Sequence, residues 1–135
     1  MVHSAPQPVE SCDPTDELVA DVFARACPSR GMLEDVTNKW GVLALVAMTE
    51  GTYRFNALRR RVEGVSEKML SQTLHALERD GMVRREVQAA IPPRVEYTLT
   101  PLGERVGRKL RELIDLVEGE VPTVLEARER YDHCQ

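Results

Sequence analysis

The sequence predicts a mainly α-helical domain carrying a small β wing, an α+β fold, on three observations. Apolar residues recur at helical spacing along most of the 135 residues. A short basic helix, a glycine-containing turn and a second amphipathic helix follow one another between residues 55 and 80. Two segments rich in Val, Tyr and Thr come directly after, at 82–87 and 95–99. Helix, turn, helix and β pair in that order make a winged helix-turn-helix.

The length suits one domain, with about two-thirds of the unfolded surface buried on folding. The 18 Lys+Arg against 22 Asp+Glu give a net charge of −4, and 42% hydrophobic with 30% charged residues exclude a disordered chain. The longest apolar run, Val42–Met48, is far short of the roughly 20 residues that span a bilayer. Residues 1–8 have neither a basic start nor an apolar stretch, so no signal peptide is read there. Cysteines at 12, 27 and 134 form no CxxC and no disulfide framework, which points to a reducing, cytoplasmic location.

Three prolines within residues 1–14 predict a flexible N-terminal arm, ahead of a single domain over 15–135. Leu18, Val19, Val22 and Phe23 then predict a helix beginning at Asp13 or Thr15 and stopped by Cys27-Pro28-Ser29-Arg30-Gly31. Met32, Leu33 and Val36 open a helix expected to continue across Trp40 to Met48, apolar on nearly all sides and hence central. Gly51 is its expected left-handed cap. Phe55, Leu58 and Val62 give the short helix, with Arg59, Arg60 and Arg61 on its other sides. Ser66 is the expected N-cap of the next helix, and Val65 and Leu70 its hydrophobic staple. That helix runs to Asp80, with Gly81 as C′. Between the β segments, residues 88–94 are too long for a tight hairpin and are stiffened by Pro92 and Pro93. Thr100 caps a further helix with Pro101 at N1 and one apolar stripe: Leu102, Val106, Leu110, Leu113 and Val117. Val121, Val124, Leu125 and Tyr131 suggest a last short helix.

Charge is unevenly spread. Residues 54–97 hold nine bases against six acids, +3, whereas 1–26, 27–53 and 98–135 carry −4, −1 and −2. A basic centre in an acidic chain fits an anion-binding module. On a helical wheel with Leu70 at zero, Leu74 and Leu77 fall at about 40° and −20°, the buried stripe. Lys68, Gln72, His75 and Arg79 fall at about 140–200°, opposite it, with Ser71 at the border near 100°. Lys and Arg suit guanine or phosphate, Gln reads adenine, and Ser donates to phosphate. Arg84, Arg85 and Arg94 lie on or beside the expected wing, and Arg54, Arg59 and Ser66 near the short helix. The competing interpretation is a winged-helix protein-interaction module that binds no DNA. The hydrogen-bonding face favours DNA, because a protein-binding face more often presents aromatic or aliphatic anchors.

Cys27-Pro28, Asn38-Lys39-Trp40, Arg54-Phe55-Asn56 and Leu58-Arg59 are spaced as in a known regulator family. So are Met69-Leu70-Ser71, Leu74 to Glu78, Asp80-Gly81-Met82-Val83 and the run Pro92 to Thr100 with Leu102-Gly103. As a set, over about residues 27–118, they resemble the HxlR-type transcriptional regulators, distant relatives of MarR-type repressors. The resemblance implies a homodimer, joined through N- and C-terminal helices, that binds double-stranded DNA at a pseudo-palindromic operator. It further implies a regulator, expected here as a repressor, inducible through a thiol or a small ligand whose identity is unknown. Cys27 matches the cysteine with which some members sense oxidants or electrophiles. Asn38, Gly41 and Ala57 depart from the family pattern, and the Trp usual in the last long helix is absent, Trp40 being the only one.

No enzyme is expected. His3, His75 and His133 show no metal-ligand spacing, and neither P-loop nor GxGxxG nor Ser-His-Asp order occurs. No metal or other cofactor is therefore assigned.

Overall fold

The structure, a computed structural model, describes residues 20–134. The expected arm at 1–14, with Leu18 and Val19, lies outside the described residues. The elements run α1 (Pro28–Thr37), α2 (Lys39–Met48), β1 (Tyr53–Arg54), α3 (Phe55–Arg61) and α4 (Glu67–Arg79), then β2 (Val83–Gln88), β3 (Arg94–Leu99), α5 (Pro101–Gly119) and α6 (Val121–His133). The strands form one antiparallel sheet in the order β1-β3-β2.

The all-round apolar helix α2 is the hub, with Ala44 to Met48 all buried and α1, α3, α4, α5 and β3 packed around it. Leu58 from α3, Leu70, Leu74 and Leu77 from α4, and Val83 and Leu99 from the sheet complete the core. Burying a leucine is worth about 2 kcal/mol, so these residues fix where α4 sits and which face it turns outward.

Capping chemistry joins α4 to α5. The Met82 N–H donates to Leu77 O and the Gly81 N–H to Glu78 O, both at 3.0 Å, a Schellman turn that needs the positive φ of Gly81 (77°). The Thr100 hydroxyl donates to Gly81 O at 2.6 Å and accepts from the Gly103 N–H at 3.1 Å, so one side chain closes two helix ends. Gly103 permits this approach, because a Cβ there would overlap the Met82 carbonyl oxygen.

Four expectations are corrected. The helix expected to begin at Asp13 or Thr15 and to stop at Cys27 is absent from its described part: residues 22–27 form turns and bends, and Phe23 is exposed. Asp21 Oδ1 accepts from the Phe23 N–H at 3.0 Å and Arg30 Nε donates to Val22 O at 2.8 Å, so local side chains take the groups a helix would pair. The first described helix is thus α1. The single helix expected from Met32 to Met48 is two, because Asn38 (ψ 139°) leaves the helical region and its Oδ1 accepts from Trp40 N at 2.9 Å, capping α2. Gly51 lies two residues beyond the Thr49 C-cap instead of forming it. Finally, Cys27 is disulfide-bonded, where spacing along the sequence gave no such framework; wide separation in sequence does not keep cysteines apart in space.

The apolar stripe of α5 divides. Leu110 is buried and Leu102, Val106 and Ile114 pack on the core, whereas Leu113, Leu116 and Val117 are more than half exposed. Val121, Val124 and Leu125 on α6 are exposed as well. The last helix, α6, follows after Glu120, with Pro122 in its first turn. No described helix is long and apolar enough to cross a membrane.

Candidate nucleic-acid interface

Helix α4 begins where Ser66 Oγ accepts from the Met69 N–H at 3.1 Å, which leaves the Ser66 O–H free to donate outward. Leu70, Leu74 and Leu77 are at most 2% exposed, while Lys68, Ser71, Gln72, His75 and Arg79 are all exposed. The amphipathic division drawn on the helical wheel therefore holds in three dimensions. Two cations, an amide, an imidazole and a hydroxyl share one solvent-facing surface without a carboxylate ion pair on any of them among the described residues.

The wing separates residues that the sequence grouped. Arg84 pairs in register with Thr98, and Arg85 with Tyr97, so they point to opposite faces of the sheet. Arg85 shares a face with half-buried Tyr97 and with Val83 and Leu99, the core side. Arg84 shares the other face with Glu86, Glu96 and Arg94. Arg94 is exposed at the first position of β3.

The basic run on α3 is divided by ion pairing. Arg59 meets Glu67 of α4 at 3.0 Å, and Arg61 meets Glu50 at 2.7 Å. Arg54 and Arg60 have no ion pair among the described residues and, with Asn56, line a cleft of about 440 Å³ facing the base of the wing. Asn56 and Arg60 were not singled out from the sequence, since a run of three arginines does not tell which are committed to carboxylates.

Two carboxylates hold the frame around α4. Glu50, at the end of α2, accepts from Arg61, Tyr53 and Arg111, which bring α3, β1 and α5 to one point. Hydrogen bonds from Arg61 and Tyr53 hold its pKa down at about 2. The Tyr53 hydroxyl is raised, by burial and then by Glu50. Asp80, the C-cap of α4, is pushed up to about 6 by burial and by a hydrogen-bonded contact with Asp35 of α1, and its Oδ2 is buried.

Cys27 is the N-cap of α1 and is 2% exposed. Its Sγ accepts from the Asp21 N–H at 3.3 Å and lies 3.2 Å from Ser29 Oγ. Among the described residues no group of His, Cys, Asp and Glu has the makings of a metal site.

A family model described as HxlR-like helix-turn-helix matches residues 35–124. The chain is 54% identical over 109 residues to the uncharacterized HTH-type transcriptional regulator YtfH of Escherichia coli (strain K12), covering 81% of this chain and 86% of that protein. Among solved structures, a transcriptional regulator described as ytfH from Salmonella typhimurium matches with a TM-score of 0.77 at 54% identity, over 82% of this chain and 98% of that one. A structure described as the redox regulator HypR in its oxidized form matches with a TM-score of 0.63 at 34% identity, over 69% and 96% of the two chains.

Proposed function

The chain belongs to the HxlR-like helix-turn-helix family of transcriptional regulators, and from that premise we propose that it is a homodimeric, sequence-specific DNA-binding repressor whose operator affinity follows the state of Cys27. Its family and relatives are regulators, not enzymes. The observation that carries the DNA reading is the exposed face of α4. On this reading Gln72 and Lys68 make bidentate or single contacts to base edges, with Arg79 and His75 beside them on the same exposed face. Arg84 and Arg94, on one face of the wing, approach the adjacent minor groove or its phosphates. Arg85, on the opposite face, supplies long-range attraction only.

The exposed apolar surface of α5 and α6 supports the homodimer, because no further described element covers it. Two symmetric reading heads then bind a pseudo-palindrome whose half-sites are spaced about 10 bp, or a multiple. A gel-shift on the promoters of its own gene and neighbouring genes tests the reading. Replacing Lys68, Gln72 and Arg79 together by Ala abolishes sequence preference, at about 1–3 kcal/mol for each bidentate base pairing removed. Unchanged operator affinity in that triple variant assigns reading to another element.

The thiol response rests on position. Cys27 occupies the N-cap position of α1 with its sulfur 3.2 Å from Ser29 Oγ in the first turn, and α1 packs on both α2 and α4, so a change at its sulfur bears on the elements that read DNA. The likeness to a redox regulator is compatible with this role. Operator binding is compared with and without dithiothreitol, in wild type and in Cys27→Ser. A difference in wild type that is absent from the variant is expected; equal affinities under both conditions remove the switch.

A further inference from the structure

A cavity of about 300 Å³ opens where α2, the end of α3 and α5 meet, lined by no residue of α4 or of the wing. Leu43, Val46 and Ala47 of α2, Val62 just after α3 and Ile114 of α5 give it aliphatic walls. Local sequence makes the space: α3 stops at Arg61, and Ala47 offers only a methyl group beside that end. The volume stands at the lower end of the range for small-molecule sites, which are mostly apolar with a few polar groups.

The charged groups around the cavity fall into two sets. Glu50 is already taken: Arg61 donates to both of its oxygens, at 3.1 and 2.7 Å, and Arg111 donates to Oε2 at 3.3 Å. Both guanidinium groups are thereby committed. Glu63 and Glu118 line the same cavity, are exposed, and make no ion pair among the described residues. Three carboxylates against two guanidinium groups leave one negative charge in excess. The uncommitted charge beside the aliphatic walls is therefore negative, and its complement is a cation on an apolar body. An organic anion would have to displace Glu50 from two arginines and would meet Glu63 and Glu118 as like charges.

The cavity also lies off the apolar surface of α5. With Leu110 at zero on a helical wheel, Ile114, Glu118 and Arg111 fall at about 40°, 80° and 100°. The exposed Val117, Leu113 and Leu116 fall on the other side, at about −20°, −60° and −120°. A dimer closed through that apolar side leaves the cavity open. We propose that the cavity binds a small amphipathic organic cation, an ammonium group on an aryl or alkyl body. Glu63 and Glu118 face the ammonium group, and the walls from α2, Val62 and Ile114 cover the apolar body. Glu50 keeps its arginines and holds α2, α3 and α5 in place around the occupant.

The test uses the full chain without DNA, so its outcome is separate from that of the DNA reading. Backbone amide shifts of the isotope-labelled protein are followed at neutral pH as phenethylamine is added to about 20 mM, since so small a ligand binds at about millimolar strength. The amides of Ala47, Val62 and Ile114 are expected to shift together along one saturable curve. Two controls keep the phenethyl body and change the charge: phenethyl alcohol is neutral and hydrocinnamate is an anion. Two exposed ion pairs are worth about tenfold in affinity, so both controls should bind at least about tenfold more weakly. The double variant Glu63→Gln, Glu118→Gln should weaken phenethylamine by the same factor and leave phenethyl alcohol unchanged. Both side chains are exposed, and an unchanged melting temperature verifies the fold; the wild-type series decides the charge class without the variant. No saturable shift with phenethylamine, or saturable shifts only at residues away from the cavity, overturns the site. Equal or tighter binding of the alcohol or of hydrocinnamate overturns the assignment to cations. Undiminished phenethylamine binding in the folded double variant overturns the role of Glu63 and Glu118, and the proposal with it.

Discussion

Gly103→Ala adds a single methyl group at the joint between the helix-turn-helix and the long C-terminal helix. The new Cβ would overlap the Met82 carbonyl oxygen, a backbone atom held in place by the Thr100 N–H at 3.0 Å. The first turn of α5 must therefore lift from the start of β2. Lifting it breaks the Thr100 N–H bond to Met82 O, the Thr100 hydroxyl bond to Gly81 O and the geometry of the Thr100 cap. Each of the two bonds is worth about 1 kcal/mol and the cap about the same, some 3 kcal/mol together. Alanine returns up to about 1 kcal/mol by restricting the unfolded chain, leaving a net loss of about 2 kcal/mol. For a domain of this size that lowers Tm by about 8 °C. Gly31→Ala is the matched control: it lies within α1, and a Cβ there meets nothing within 4 Å. The same chemical change should raise Tm by about 2–3 °C. Calorimetry of both variants decides the matter. A Gly103→Ala protein that melts with or above wild type would refute the claim that this joint depends on close backbone approach.

Asp80 gives a pH signature of definite sign. Its pKa of about 6 in the fold exceeds the ordinary 3.8, so the folded chain holds the proton more tightly, and stability falls as pH rises from about 4 to about 6. Asp80→Asn should lose that fall and exceed wild type in urea midpoint above about pH 6; a lower midpoint there would show that the carboxylate is favourable. Glu50 acts oppositely. Its pKa of about 2 lies below the ordinary 4.5, so its contribution is present above about 4.5 and is lost as pH falls toward about 2. Urea midpoints of Glu50→Gln against wild type should converge in acid, and a constant gap would exclude this linkage. Leu113→Glu with Leu116→Glu puts charge on the exposed apolar surface of α5 and should convert the proposed dimer to monomer in sedimentation at micromolar concentration. Retained dimer would move the interface elsewhere.

What was legible in the sequence was local and periodic. The Leu70, Leu74 and Leu77 stripe, the Ser66 cap, the Gly81 turn and the Thr100-Pro101 start each need only a few neighbouring residues, and each stands where it was expected. The break at Asn38 carried a signal, a good N-cap residue, but the apolar pattern ran across it unbroken and concealed the change of direction. Strand β1 is two residues long and exists because Tyr53 and Arg54 find Tyr97 and Glu96, more than 40 residues away, which no local pattern encodes. The helix expected before Cys27 rested on apolar spacing that begins at Leu18 and Val19, and over its described part it lost to the side-chain bonds of Asp21 and Arg30. For the interface, the wheel separated the faces of α4. The pairing of Arg59 and Arg61, and the opposed faces of Arg84 and Arg85, came only with the tertiary structure and the strand register.

The Thr100 joint also limits how the proposed dimer can be regulated. Helix α4 ends at Asp80 and α5 starts at Pro101, yet Thr100 bonds directly to both Gly81 and Met82. Helix α5 packs along α2 as well, and Arg111 reaches Glu50 at its end. The helix bearing the apolar surface and the helix bearing the reading face are thus fixed to each other at backbone level. In a homodimer closed through α5 and α6, the distance between reading heads cannot change by sliding α5 against α4 without breaking those bonds, at about 1 kcal/mol each. Movement is cheaper where single residues separate helices: at Asn38 between α1 and α2, and at Glu120 between α5 and α6. Cys27 caps α1, on the far side of the Asn38 break from the core helix, and α1 touches α4 through Asp35 and Asp80. A thiol signal therefore has a mechanical route to the reading helix that leaves the α4–α5 joint intact.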